Sequence, residues 1–119
     1  MTQTNPTFLV FMEQQRADYR RSLPQRLAGI ETLWRQILDD QQDANALDSL
    51  ERQAHSLAGS SATFGFAALG EAARVVELAV HPLVNATCPM TPAMTVQVGL
   101  AIQTLLGSLP GYNPVHSSQ

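Results

Sequence analysis

The sequence predicts an all-α protein: an antiparallel up-down four-helix bundle with an additional short N-terminal helix. Three observations lead to this prediction. Apolar residues recur at helical spacing, proline and small polar residues stand where helices begin and end, and no segment alternates apolar and polar residues as a strand does. The chain has 119 residues, of which 45% are hydrophobic. That length predicts one domain with a substantial core and leaves no room for a second.

The N-terminal third of the chain allows two interpretations. Pro6 suits the first turn of a helix, so a short helix is predicted from about residue 6 to 20. Ser22 and Pro24 then indicate a cap and a new first turn, and a second helix should run to about Asp39. One long helix kinked at Pro24 is the alternative, which the sequence leaves open.

A third helix follows a polar connection. Asp43 or Asn45 is expected to cap its N-terminus, and it should end near Phe64. Gly65 is placed to end the helix in the left-handed conformation, which a residue without Cβ adopts at little cost.

Proline residues bound the remaining helices. The fourth helix is predicted over residues 66–80, because Pro82 cannot continue it. Pro92 suits the first turn of the last helix. Together these elements predict one helical domain over residues 1–109 and a disordered tail over residues 110–119.

The charge balance excludes some functions. Seven basic residues, all arginine, stand against ten acidic ones, giving a net charge of −3, whereas nucleic-acid-binding domains are usually basic. The single cysteine, Cys88, cannot form an internal disulfide, which fits a reducing compartment. The longest apolar run, from Phe8 to Met12, is too short to span a membrane. We therefore predict a cytoplasmic monomer that binds neither nucleic acid nor membrane.

One histidine of the third helix falls outside the apolar face. Helical spacing places His55 about 130° from the centre of that face, so it should be exposed to solvent. One turn later stands Gly59, although glycine inside a helix costs about 1 kcal/mol relative to alanine. Either another macromolecule approaches the backbone beside His55, which we favour, or Gly59 packs against a neighbouring helix.

The residues around His55 form a recognisable pattern. Residues 55–61 read HSLAGSS, and after a turn glycine the spacing L-x-x-x-A-x-x-x-E follows over residues 69–77. The pattern resembles the signature of histidine-containing phosphotransfer (HPt) domains, H-x-L-K-G-S-S/A followed by L-x-x-x-A/C-x-x-x-E. The resemblance implies that His55 is phosphorylated. The resemblance also implies that Ser60 and Gly65 belong to the structural part of the motif, with Gly65 at the turn between the central helices.

The expected docking surface surrounds His55. By resemblance Gly59 lets a receiver domain dock, but the lysine that the family commonly has three residues after the histidine is replaced here by Ala58. Arg52, one turn before His55, is a candidate substitute for that charge. The residues expected to contact the partner are small ones with charged residues at the rim: Glu51, Arg52, Ala58, Gly59 and Ala62.

The resemblance also implies a mechanism and partners. His55 would accept a phosphoryl group from a receiver-domain aspartate and pass it to another, so the protein would be a histidine phosphocarrier without independent catalytic activity. Its partners would be response-regulator receiver domains and a hybrid sensor histidine kinase. No cofactor or metal site of its own is expected, and Mg²⁺ would be held by the receiver.

Two other functions compete with the phosphocarrier. A helical interaction module that binds a receiver or kinase without being phosphorylated is the alternative. A serine–histidine hydrolase is disfavoured, because no carboxylate is spaced along the chain to orient the imidazole of His55.

Overall fold

The computed structural model describes residues 6–86 and 89–114, and all regular structure in those ranges is helical. The all-α prediction is therefore confirmed. None of the helices in the described part is both long and apolar enough to cross a bilayer. The elements are α1 (Pro6–Asp39), α2 (Ala44–Thr63), α3 (Ala67–Val80), a 3-10 turn (His81–Leu83) and α4 (Pro92–Gly107).

The first helix corrects one prediction. α1 is a single helix of 34 residues with Pro24 inside it, so the separate short N-terminal helix is wrong and the single-helix alternative is right. Tyr19, Leu23 and Leu27 are all buried, so one apolar stripe continues past the proline, which faces solvent. The predicted cap, Ser22, instead donates its hydroxyl to the carbonyl of Tyr19 inside the helix, at 2.6 Å.

Both ends of α2 are set by local chemistry. A side-chain oxygen of Asp43 accepts a hydrogen bond from the backbone N–H of Ala46 at 3.0 Å, which decides between the two predicted caps. At the other end Gly65 has φ = 84°. The N–H of Phe66 then donates to the carbonyl of Ser61 at 2.8 Å, a bond that closes helices ending in a left-handed glycine.

A chain of hydroxyl groups joins α1 to the end of α2. Ser60 donates to the Ser56 carbonyl at 2.9 Å, so it accepts a hydrogen bond from the Tyr19 hydroxyl, 2.6 Å away. That hydroxyl in turn accepts from the fully buried Ser61 at 2.9 Å. The Tyr19 ring stacks on Phe64 with 4.6 Å between centroids. The two serines of the HSLAGSS segment thus hold α2 against α1.

All four helices contribute to one core. α2 packs against α1 and α3, and α4 packs against α3 and α1. The backbones of α2 and α3 approach closely at Gly70, where a Cβ would lie 3.1 Å from the carbonyl oxygen of Ala58. The largest fully buried apolar side chains are Leu23, Leu27, Ile30, Ile37, Leu50, Leu57, Val76, Val80, Val98 and Leu105.

The segment after α4 contacts α1. The hydroxyl of Tyr112 donates to Glu31 on α1 at 2.6 Å. Burial and the hydrogen bond to the Glu31 carboxylate raise the pKa of the Tyr112 phenol, which keeps it a donor. Tyr112 belongs to the predicted tail, whose start at residue 110 stays a prediction. Residues 115–119, which share that prediction, lie outside the described residues.

Candidate functional site

His55 is exposed on α2 and held in one orientation. Its side chain is 72% accessible, which confirms the expectation that it faces solvent. Its Nδ1 lies 2.7 Å from Oε2 of Glu77 on α3. Because a carboxylate only accepts hydrogen bonds, we assign the ring proton to Nδ1. In the neutral tautomer the lone pair then lies on Nε2, the nitrogen that is not bound to Glu77.

The contact between Glu77 and His55 was missed by the sequence reasoning, which placed Glu77 only in the family pattern. The expectation that no carboxylate orients His55 is wrong, because Glu77 is distant along the chain and reaches the ring only through the packing of α3 on α2. The glutamate at the end of the L-x-x-x-A-x-x-x-E spacing was the available signal. Its side chain is only 18% accessible. A half-buried carboxylate has few rotamers available and holds the imidazole more firmly than a mobile surface group.

A shallow depression of about 280 Å³ lies beside His55 between α2 and α3. Its floor is formed largely by small residues. A Cβ on Gly59 would meet no atom within 4 Å, whereas one on Gly70 would press against α2. Packing between helices therefore explains Gly70, and it does not explain Gly59. The lining residues are His55, Ala58, Gly59, Ala62, Ala67, Gly70, Glu71, Arg74 and Glu77.

Comparison with known proteins identifies the family. A family model described as the Hpt domain matches residues 14–108, most of the chain. The chain belongs to the HPt domain family. HPt domains are phosphocarriers that take part in two-component phosphorelays, where they interact with receiver domains and kinases. No curated protein and no solved structure matched the chain.

The docking residues predicted for this HPt domain divide into two groups. Ala58, Gly59 and Ala62 line the depression beside His55. Glu51 and Arg52 are not among its lining residues. Their place at the rim of a docking surface stays a prediction.

The two charged residues outside the depression have partners of their own. The Nε of Arg52 donates to Asp48 at 2.9 Å, one turn back along α2. Glu51 accepts a hydrogen bond from His81 at the end of α3. The basic side chain that does line the depression is Arg74 on α3, whose Nη1 lies 4.0 Å from Oε1 of Glu77. Sequence spacing along α2 could not indicate it.

The acidic and histidine side chains are scattered over the described part of the domain. Among the described residues, no three side chains of His, Cys, Asp or Glu lie close enough together to bind a metal ion. Cys88 lies outside the described residues.

Proposed function

We propose that this HPt domain accepts a phosphoryl group on Nε2 of His55 from a receiver aspartate and passes it to the aspartate of another receiver. The observation that carries the proposal is the hydrogen bond of 2.7 Å between His55 Nδ1 and Glu77. It supports an imidazole that is held through Nδ1 while most of the ring is exposed to solvent. The adjacent depression supports the approach of a second protein at the same place.

The transfer needs little chemistry from this chain. Nε2 attacks the phosphorus of the aspartyl phosphate, the P–O bond breaks, and its electron pair returns to the aspartate carboxylate. The positive charge that develops on the imidazole ring is offset by Glu77. Mg²⁺ and the acceptor aspartate would belong to the receiver, so the protein would carry the phosphoryl group without a cofactor or catalytic cycle of its own.

The depression supports docking through small residues. Gly59, Ala58 and Ala62 present little side chain, so a receiver could bring its aspartate close to the backbone of α2. Arg74 lines the same depression, and we propose that it supplies the positive charge lacking at Ala58. Arg52, which pairs with Asp48, is a weaker candidate for that charge than its position in the sequence suggested.

The arrangement and setting of the domain are also proposals. Connections over residues 40–43 and 64–66 are short, and helices joined by short loops pack as antiparallel neighbours, which supports an up-down bundle. We further propose that the protein acts as a cytoplasmic monomer with receiver domains and a hybrid sensor kinase as partners. The charge of −3 supports a protein partner over nucleic acid.

The decisive experiment for this function locates the phosphoryl group on the unchanged protein. The purified chain is incubated with a panel of phosphorylated receiver domains, and the label is tested for stability and mapped by mass spectrometry. We expect a label that is labile in acid, stable in base and located chiefly on His55. Receiver binding without any labelling would instead establish the alternative, a helical interaction module that is not phosphorylated.

Glu77 provides a second prediction. Glu77→Gln keeps an acceptor for Nδ1–H but removes the charge, and we expect transfer to slow by about tenfold; Glu77→Ala removes both and should slow it by about a hundredfold. The transfer rate is measured by rapid quench. Glu71→Gln is the matched control, because Glu71 lines the same depression without a hydrogen bond to His55. Equal rates for Glu77→Ala and Glu71→Gln would contradict the orienting role.

A further inference from the structure

A second histidine–glutamate pair stands beside the first. Nδ1 of His81 forms a hydrogen bond to Oε2 of Glu51. The His81 side chain is 75% accessible and that of Glu51 is 19% accessible. The corresponding values for His55 and Glu77 are 72% and 18%. In both pairs an exposed imidazole is therefore held through Nδ1 by a carboxylate that is mostly covered.

In the first pair the histidine lies on α2 and the glutamate on α3, and in the second pair the glutamate lies on α2 and the histidine directly follows α3. Glu51 precedes His55 by one turn on α2, and Glu77 precedes His81 by one turn at the end of α3. The pairs thus lie along the same α2–α3 surface, separated by about 6 Å along the helices. α2 contributes His55 and Glu51, and α3 with the 3-10 turn that directly follows it contributes Glu77 and His81.

The chemistry argued for His55 applies to His81 on the same grounds. The carboxylate of Glu51 only accepts hydrogen bonds, so Nδ1 of His81 carries a proton, and in the neutral tautomer the lone pair lies on Nε2. Both hydrogen bonds join a side chain of α2 to a side chain at the C-terminal end of α3.

We propose that His81 is a second phosphoryl acceptor of this HPt domain. The proposal rests on the proposed function, because the donor is the aspartyl phosphate of the same receiver. The P–O bond of that phosphate breaks, its electron pair returns to the aspartate carboxylate, and a P–N bond forms at Nε2 of His81. The Nδ1 proton stays in the hydrogen bond to Glu51, whose charge offsets that of the ring. No further reactant is consumed.

His81 is the slower of the two acceptors. The depression that admits a receiver is lined by His55, Gly59 and their neighbours, and His81 does not line it. A receiver seated there presents its aspartate to His55 first. Reaching His81 requires the receiver to shift by about one helical turn along the α2–α3 surface, some 6 Å.

The test uses four proteins: the unchanged chain, His55→Gln, His81→Gln and the double variant. Each is incubated with the phosphorylated receiver domain that labels the unchanged chain fastest, and phosphohistidine is mapped by mass spectrometry. We expect His55→Gln to be labelled at His81, at least about a hundredfold more slowly than the unchanged chain. His81→Gln should be labelled at His55 alone, and the double variant should carry no label. Adding Glu51→Gln to His55→Gln should slow the remaining labelling by about tenfold.

The outcomes separate this proposal from the proposed function. If the unchanged chain and His81→Gln are labelled but His55→Gln is not, the second site is overturned and the role of His55 stands. If the unchanged chain takes no label from any receiver, both proposals fail. Label on His55→Gln that maps to a residue other than His81 also overturns the second site. Circular dichroism of all variants checks folding, which these exposed positions should leave intact.

Discussion

His55→Gln should lower the rate at which the protein accepts phosphate from a receiver domain by at least about a hundredfold. Glutamine keeps much of the size and polarity of the imidazole but has no nitrogen lone pair that can attack phosphorus. The rate is measured by rapid quench with a radiolabelled receiver. An unchanged rate would show that His55 is not the principal acceptor.

Measurements of stability and receiver binding on His55→Gln distinguish a loss of the nucleophile from a loss of folding. Because the His55 side chain is 72% accessible, its replacement should change the free energy of unfolding by no more than about 0.5 kcal/mol. Receiver binding, measured by titration calorimetry, should also persist, because the small residues of the depression remain. A variant that binds but does not accept phosphate assigns the nucleophile to His55 and the docking to its surroundings.

Gly70→Val should lower the free energy of unfolding by about 2 to 3 kcal/mol. A Cβ at this position would lie 3.1 Å from the Ala58 carbonyl oxygen and 3.4 Å from the Ala62 nitrogen, both backbone atoms of α2. These atoms cannot rotate away as a side chain can, so α2 and α3 must separate. Urea denaturation measures the loss. Because the separation also moves Glu77 from His55, phosphate transfer should slow as well.

Gly59→Val is the matched control on the facing helix. A Cβ at Gly59 would meet nothing within 4 Å, and valine has a higher helix propensity than glycine, so stability should be unchanged or rise by a few tenths of a kcal/mol. Transfer should nevertheless fall, because the valine side chain would fill the depression where a receiver docks. If Gly59→Val were destabilised as much as Gly70→Val, Gly59 would be a packing residue after all.

Helix ends and the exposure of single residues were the features most readily predicted from the sequence. The sequence predicted three local features: Asp43 as one of two possible caps, Gly65 as the left-handed end of a helix, and the exposure of His55. Each of them depends on neighbours within a turn or two. The HSLAGSS segment also pointed to the family that the comparison shows. The error at Pro24 arose because a proline within a helix and a proline that starts one look alike in sequence.

The sequence by itself determined that this protein is helical, that His55 is exposed on one of the helices, and to which family it belongs. Only the tertiary structure decided what holds His55 in place. Glu77 lies 22 residues after His55 in the sequence, yet its carboxylate lies 2.7 Å from the His55 ring because α3 packs on α2. The same packing pairs Glu51 with His81, puts Arg74 rather than Arg52 at the depression, and leaves Gly59 uncovered. Such contacts depend on how two helices are rotated against each other, which the packing of the whole core sets and the spacing along one helix does not.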